Sequence, residues 1–139
     1  MELKSLITDN IAELLFKIVE FTQKRQKLLI QNINNAQNNE FIPHDLAVDE
    51  FSESLSNAIA EHAQNQRLLL HDTDNIKFGA DGNFEAKPII DEHAKELSKN
   101  NPNEYLELQI SKLLENSLNQ RIATELMKQK QGIISIFSN

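Results

Sequence analysis

Leu106-Glu107-Leu108-Gln109-Ile110-Ser111-Lys112-Leu113-Leu114-Glu115-Asn116-Ser117-Leu118-Asn119-Gln120-Arg121-Ile122-Ala123-Thr124-Glu125-Leu126 decides the fold. Leu106, Ile110, Leu114, Leu118, Ile122 and Leu126 recur at every fourth position, and no Gly or Pro interrupts the chain from Asn103 to Lys130. The pattern predicts a long α-helix over that range. Four residues advance about 400° around a helix, so the apolar stripe drifts by about 40° per step and winds most of the way round by Leu126. Leu113, Ala123 and Met127 broaden it. One antiparallel neighbour cannot cover so wide a face, which points to burial between subunits.

The N-terminal part carries a counterpart. Leu6 to Ala36 is free of Gly and Pro, and Ile7, Ile11, Leu14, Ile18 and Phe21 follow a 4-3-4-3 spacing, the mark of an amphipathic helix. Continued by the same rule, the seam meets Arg25, Leu28 and Asn32. Its two polar positions need partners beyond one helix. Asn38-Asn39-Glu40-Phe41-Ile42-Pro43 ends the pattern, because Pro43 disfavours helix at Ile42 and the paired amides compete for backbone hydrogen bonds.

Between the long helices, Val48, Phe51, Leu55 and Ile59 predict a shorter helix from Leu46 to about Gln66. Leu68 to Glu85 reads as a small extended or hairpin excursion, turned at Asp81-Gly82. The expected fold is therefore all-α and elongated. Its long N- and C-terminal helices pack as a coiled-coil-like hairpin, with a short middle helix and a small hairpin. Two helices of about 30 residues would be ~45 Å long, against a radius of gyration near ~14 Å for a compact chain of this size. The organisation is residues 1–40 (N-terminal long helix), 41–100 (acidic middle segment) and 101–139 (C-terminal long helix).

Charge follows the same division. Of 139 residues with net charge −7, both ends balance: Lys4, Lys17, Lys24, Arg25 and Lys27 face Glu2, Asp9, Glu13, Glu20 and Glu40, and Lys112, Arg121, Lys128 and Lys130 face Glu104, Glu107, Glu115 and Glu125. The whole excess lies between 41 and 100. Neutral ends can pack among copies of themselves, whereas an acidic middle is expected to stay solvated. With aromatics at 6% and no Trp, a thick core is not expected.

The absence of Cys removes thiol nucleophiles, zinc–thiolate sites and disulfides, and suits a chain that crosses between redox compartments. Acids and amides in Met1 to Asn10 are not a cleavable signal, and apolar runs of three residues span no bilayer. Nucleic acid is not an expected partner: Lys24-Arg25-Gln26-Lys27 follows Glu20 and reads as a charged, solvated helix face.

Catalytic chemistry finds no footing. An EF-hand begun at Asp72 in His71-Asp72-Thr73-Asp74 would place Ile76 where an oxygen ligand is needed and Lys77 where Gly is needed. No Glu-x-x-His occurs for a di-iron bundle, no His-Glu-x-x-His for a zinc protease, and Gly79, Gly82 and Gly132 build no phosphate loop. His44, His62 and His93 read as solvated or capping residues, and Asp91-Glu92 with Glu96 as solvated acids. The chain is expected to be no enzyme and to carry no metal or cofactor.

Two segments carry a resemblance. Arg25-Gln26-Lys27-Leu28-Leu29-Ile30-Gln31-Asn32-Ile33-Asn34-Asn35-Ala36 is similar to the Arg, Leu-pair, Asn-Ile-Ala-Asn-Ala stretch of the flagellar rod proteins, with Asn34 replacing Ala. It then departs, with Asn38-Asn39-Glu40-Phe41 where that family has Thr-Pro-Gly-Tyr. Asn103 to Leu118 is similar to the family's C-terminal Asn-x-Val-x-Leu-x-x-Glu-Met-x-Lys-Leu-x-Glu-Asn-x-Leu, with Lys112, Leu113, Glu115, Asn116 and Leu118 in register. Leu69 to Ile76 echoes a Thr-Asp segment. The order and spacing most resemble the proximal-rod branch of this axial family.

The resemblance implies a structural subunit exported unfolded through the flagellar type III export apparatus and assembled into the periplasmic rod of the basal body, where it transmits torque. Its partners would be copies of itself and other rod and basal-body proteins. Its termini would gain order on assembly. The expected assembly residues are Ile11, Leu14, Ile18, Phe21, Arg25, Leu28, Asn32 and Asn35 on the first helix, and Ile110, Leu114, Asn116, Leu118, Ile122 and Leu126 on the last. A cytoplasmic helical-hairpin adaptor or export chaperone is the alternative, which explains acidity and amphipathicity but not the paired motifs.

Overall fold

Asn101-Pro102-Asn103-Glu104 starts the longest element. The Asn101 side-chain oxygen accepts from the Glu104 N–H at 3.2 Å, and its amide donates to the Glu104 carboxylate at 3.0 Å. The side chains at the start of the helix thereby serve one another, and Pro102 stands at the first helical position, where its missing N–H costs nothing. In the computed structural model, which describes residues 10–79 and 83–138 and the side chains of the last helix as far as Lys130, the elements run as follows. They are α1 Ala12–Asn34, β1 His44–Asp45, α2 Val48–Asn65, β2 Ile76–Lys77, β3 Glu85–Ala86, β4 Ile89–Ile90, α3 Glu92–Asn100 and α4 Pro102–Ser138.

The expected class, mostly helical with long terminal helices and a small hairpin, is what these residues adopt. Ile7 of the first seam and the Asp81-Gly82 turn lie outside the described residues. Helix α4 has 37 residues and so runs about 55 Å, beside about 35 Å for the 23 residues of α1. The two are antiparallel: the Tyr105 hydroxyl donates to the Asn32 carbonyl at 3.0 Å, and the Asn116 amide to the Thr22 carbonyl at 2.8 Å.

The middle segment departs from expectation. Rather than a solvated excursion, it supplies most of the hydrophobic core, where Leu46, Ala47, Phe51, Ile76, Phe78 and Phe84 gather on Phe21 of α1. Phe51 is central, stacked on Phe21 at 4.0 Å between ring centroids and reaching Phe78 at 6.0 Å and Phe84 at 6.1 Å. Net charge averages over both faces of an element; Asp49 and Glu53 of α2 point outward while Phe51 points inward.

Hairpin β2–β3 pairs Ile76 with Ala86 and Lys77 with Glu85. Gly79 begins its connection at φ +58°, where a Cβ would stand 2.6 Å from the Asn83 carbonyl oxygen, so only glycine fits. Lys17 fastens the hairpin to α1: its buried ammonium donates to the Phe78 carbonyl at 2.9 Å and lies 5.7 Å from the centre of the Phe84 ring. His71-Asp72-Thr73-Asp74 braces the same region. Ser54 donates to the His71 carbonyl, Asp72 accepts from the Phe78 N–H, and Glu50 accepts from Thr73 and Asn75.

Two features were not expected. Strands β1 and β4 pair antiparallel, His44 with Ile90 and Asp45 with Ile89. Helix α3, capped by the Asp91 carboxylate on the Ala94 N–H at 3.0 Å, turns the chain into α4.

Candidate assembly surface

Helix α4 is built inside out relative to an ordinary amphipathic helix. The side turned toward α1 buries Tyr105, Gln109, Asn116 and Ala123, with half-buried Lys112 among them. The expected apolar stripe is exposed, from 45% at Leu126 to 67% at Leu114: Ile110, Leu114 and Leu118 lie on the side away from α1, and Ile122 and Leu126 wind back toward it. Large aliphatics on successive turns are left to water while amides occupy the intrachain seam.

Most polar groups of the seam find partners suited to them, the buried Gln109 Nε2 being an exception. Asn32 is fully engaged: its amide donates to the His44 carbonyl at 2.8 Å and to Gln109 Oε1 at 3.0 Å, and its oxygen accepts from the His44 N–H at 3.2 Å. Arg25 meets Asp45 side-on through two parallel bonds of 2.8 and 2.9 Å. Lys112 reaches Asp45 at 3.2 Å and Asp91 at 2.6 Å. Two cations and two carboxylates thus join α1, β1, the start of α3, and α4.

Burial alone would push the Asp45 carboxyl up. The Arg25 hydrogen bonds and charge, the Lys112 charge and the Leu46 N–H together outweigh it and hold the group below its ordinary value of 3.8. Tyr105 moves the other way, raised above 10.0 by burial and by the charge of Asp91.

These contacts revise where several expected assembly residues lie. Arg25 and Asn32 were expected to meet neighbouring subunits, and Arg25 also to sit on a solvated basic face; both are buried and bonded within the chain. Lys24 and Lys27 keep the solvated position. Phe21 belongs to the core and Asn116 to the seam. Asp91 is no free surface acid, since it caps α3 and pairs with Lys112. Ile18 and Leu28 pack against the core cluster, and Asn35 is half-buried with its amide on the Gln31 carbonyl.

What remains available is Ile11 together with Ile110, Leu114, Leu118, Ile122 and Leu126. Ile122 and Leu126 also border a cleft of about 310 Å³ that Leu15, Ile18, Val48 and Leu55 line from α1 and α2. Ile11 and Leu14 line a second, smaller one of about 240 Å³ with Ala58, Ile59 and Leu68. The stripe and the first cleft form one apolar surface. Among the described residues no group of three or more His, Asp or Glu gathers to hold a metal, and no helix is long and apolar enough to cross a membrane.

The ionic network escaped sequence reasoning because Arg25 and Asp45 are brought together only by the chain reversal that leads into β1, and two-residue strands do not announce themselves. Asn101-Pro102-Asn103-Glu104 was a legible signal for the corner between α3 and α4. Comparison of the chain with protein-family models, with curated proteins and with solved structures gives no match.

Proposed function

We propose that the chain is a structural subunit of the proximal rod of the bacterial flagellar basal body, of the FlgB kind, assembling through the outer face of α4 and transmitting torque. The observation that carries this reading is the row Ile110, Leu114, Leu118, Ile122 and Leu126, exposed on a helix whose inner side is polar. Contiguous apolar surface of that kind is a mark of protein contact. The two motif segments that resemble the rod family, Arg25 to Ala36 and Asn103 to Leu118, lie on the antiparallel pair α1 and α4, so the resemblance and the surface fall on the same elements.

On this reading the subunit is exported through the type III apparatus and works in the periplasm among copies of itself and other rod proteins. It performs no catalysis and binds no cofactor. The test is replacement of the chromosomal copy by Leu114→Asp. Normal protein levels with lost swimming support the role; unchanged swimming overturns it.

The alternative of a cytoplasmic helical-hairpin adaptor or export chaperone draws on the core around Phe51, which forms within one chain. Recovery of the chain from the cytoplasm in complex with another export substrate, with none in the basal body, would favour that reading.

A further inference from the structure

The hydrophobic core closes without α4. Among the described residues, the cluster around Phe51 and the apolar side chains packed on it all come from residues 18–89. Helix α4 is held instead by polar groups, and these are unevenly placed. Tyr105, Gln109, Lys112 and Asn116 bond to α1, β1 and Asp91 along its first part. The next stretch, Ser117 to Gln129, buries Ala123, while the Thr124 hydroxyl and the Lys128 ammonium pair within the helix itself. Lys130 is buried again at its far end. Ala123 fills little of the space it faces, and there lies the cleft of about 310 Å³ walled by Leu15 and Ile18 of α1, Val48 and Leu55 of α2, and Ile122 and Leu126 of α4. Ile122 and Leu126 stand at its rim, 49% and 45% exposed. Water in a largely apolar cleft finds few partners, and apolar side chains at its rim gain by moving in.

We infer that Ser117 to Gln129 is a strap that closes over this cleft, carrying Ile122 and Leu126 inward while the stretch from Pro102 to Asn116 stays locked to α1. The two aliphatics lie on the same side of Ala123. At about 100° per residue they stand roughly 100° and 60° round the helix from it, so one roll of this stretch toward α2 turns both into the cleft. Segments that bury few side chains open and close at lower free energy than the core they rest on. Closure shortens the exposed row to Ile110, Leu114 and Leu118, and opening restores its full length. The strap thus sets how much apolar face α4 presents. The motion depends on packing within one chain and is independent of the rod role.

Ser52 of α2 and Asn119 of α4 are exposed and line the same cleft, and the chain has no cysteine of its own. Full-length Ser52→Cys/Asn119→Cys is oxidised with diamide at low protein concentration, and the products are sorted by size and by remaining free thiols. A disulfide within one chain is expected, which requires the two Cα atoms to come within about 7 Å. Adding Ile122→Ser and Leu126→Ser removes the side chains that draw the strap in and is expected to slow formation at least ~10-fold; unchanged helix content by circular dichroism checks that this variant folds. No disulfide within the chain, or formation at the same rate without the two aliphatics, overturns the proposal. Amide hydrogen exchange separates closure from fraying of the helix end. Oxidation is expected to slow exchange of residues 118–129 at least ~10-fold and to leave 105–116 unchanged. No slowing, or slowing spread equally over both stretches, also overturns it.

Discussion

Arg25 and Asp45 lie twenty residues apart in sequence and meet as a two-pronged ion pair, Nε to Oδ1 at 2.8 Å and Nη2 to Oδ2 at 2.9 Å, with both side chains buried. The pair ties the middle of α1 to the strand that follows its chain reversal, and Lys112 extends it to α4. Removing one member leaves the other charged and enclosed. Arg25→Ala or Asp45→Asn should therefore cost about 3–5 kcal/mol in urea unfolding at neutral pH.

Acid should uncover the same pair. The native Asp45 carboxyl is held below 3.8, so its contribution is fully present above the unfolded value and is lost as pH falls through the lower native one. Wild-type stability should decline below about pH 4, and the difference from Asp45→Asn should narrow over that range. Unfolding curves collected for both proteins from neutral to acid pH check this; a constant difference would contradict it.

The core makes a separate demand. Phe51→Ala removes the ring that touches Phe21, Phe78 and Phe84 and should cost about 3–5 kcal/mol, read as a lower thermal midpoint. Had the middle segment been a solvated excursion, the cost would be negligible.

Within the seam, Tyr105→Phe deletes one hydrogen bond to the Asn32 carbonyl and should cost about 1 kcal/mol. Asn32→Ala should cost more, because it strands the His44 N–H and carbonyl and Gln109 Oε1 together. Equal losses in denaturant titration would argue against the seam as described.

Leu118→Asp and Ile110→Asp probe the opposite face. Both sites are exposed, so stability should stay within about 0.5 kcal/mol of wild type while assembly fails. Loss of stability comparable to Phe51→Ala would place these side chains in a core instead.

How much of this was legible in the sequence depended on whether the deciding contacts were local. The 3-4-3 spacing from Ile11 to Phe21 and the every-fourth-residue row from Leu106 to Leu126 announce helices, because periodicity is a property of neighbouring residues. They also announced the exposed stripe, since a row drifting around α4 could not all face α1. The fate of Arg25 and Asn32 was hidden. Their need for polar partners was plain, but Asp45, His44 and Gln109 become neighbours only through chain reversal and helix pairing. Net charge misled for a related reason: the middle segment's acids and its phenylalanines occupy opposite sides of the same elements.

A rod subunit must reside in the basal body when it works. Basal bodies purified from the source cell, with this chain quantified by mass spectrometry against the other rod subunits, test that residence most directly. The wild-type chain is expected at comparable stoichiometry, and Leu118→Asp is expected in the cell but missing from the basal body. Intact basal bodies that lack the wild-type chain would contradict the rod role.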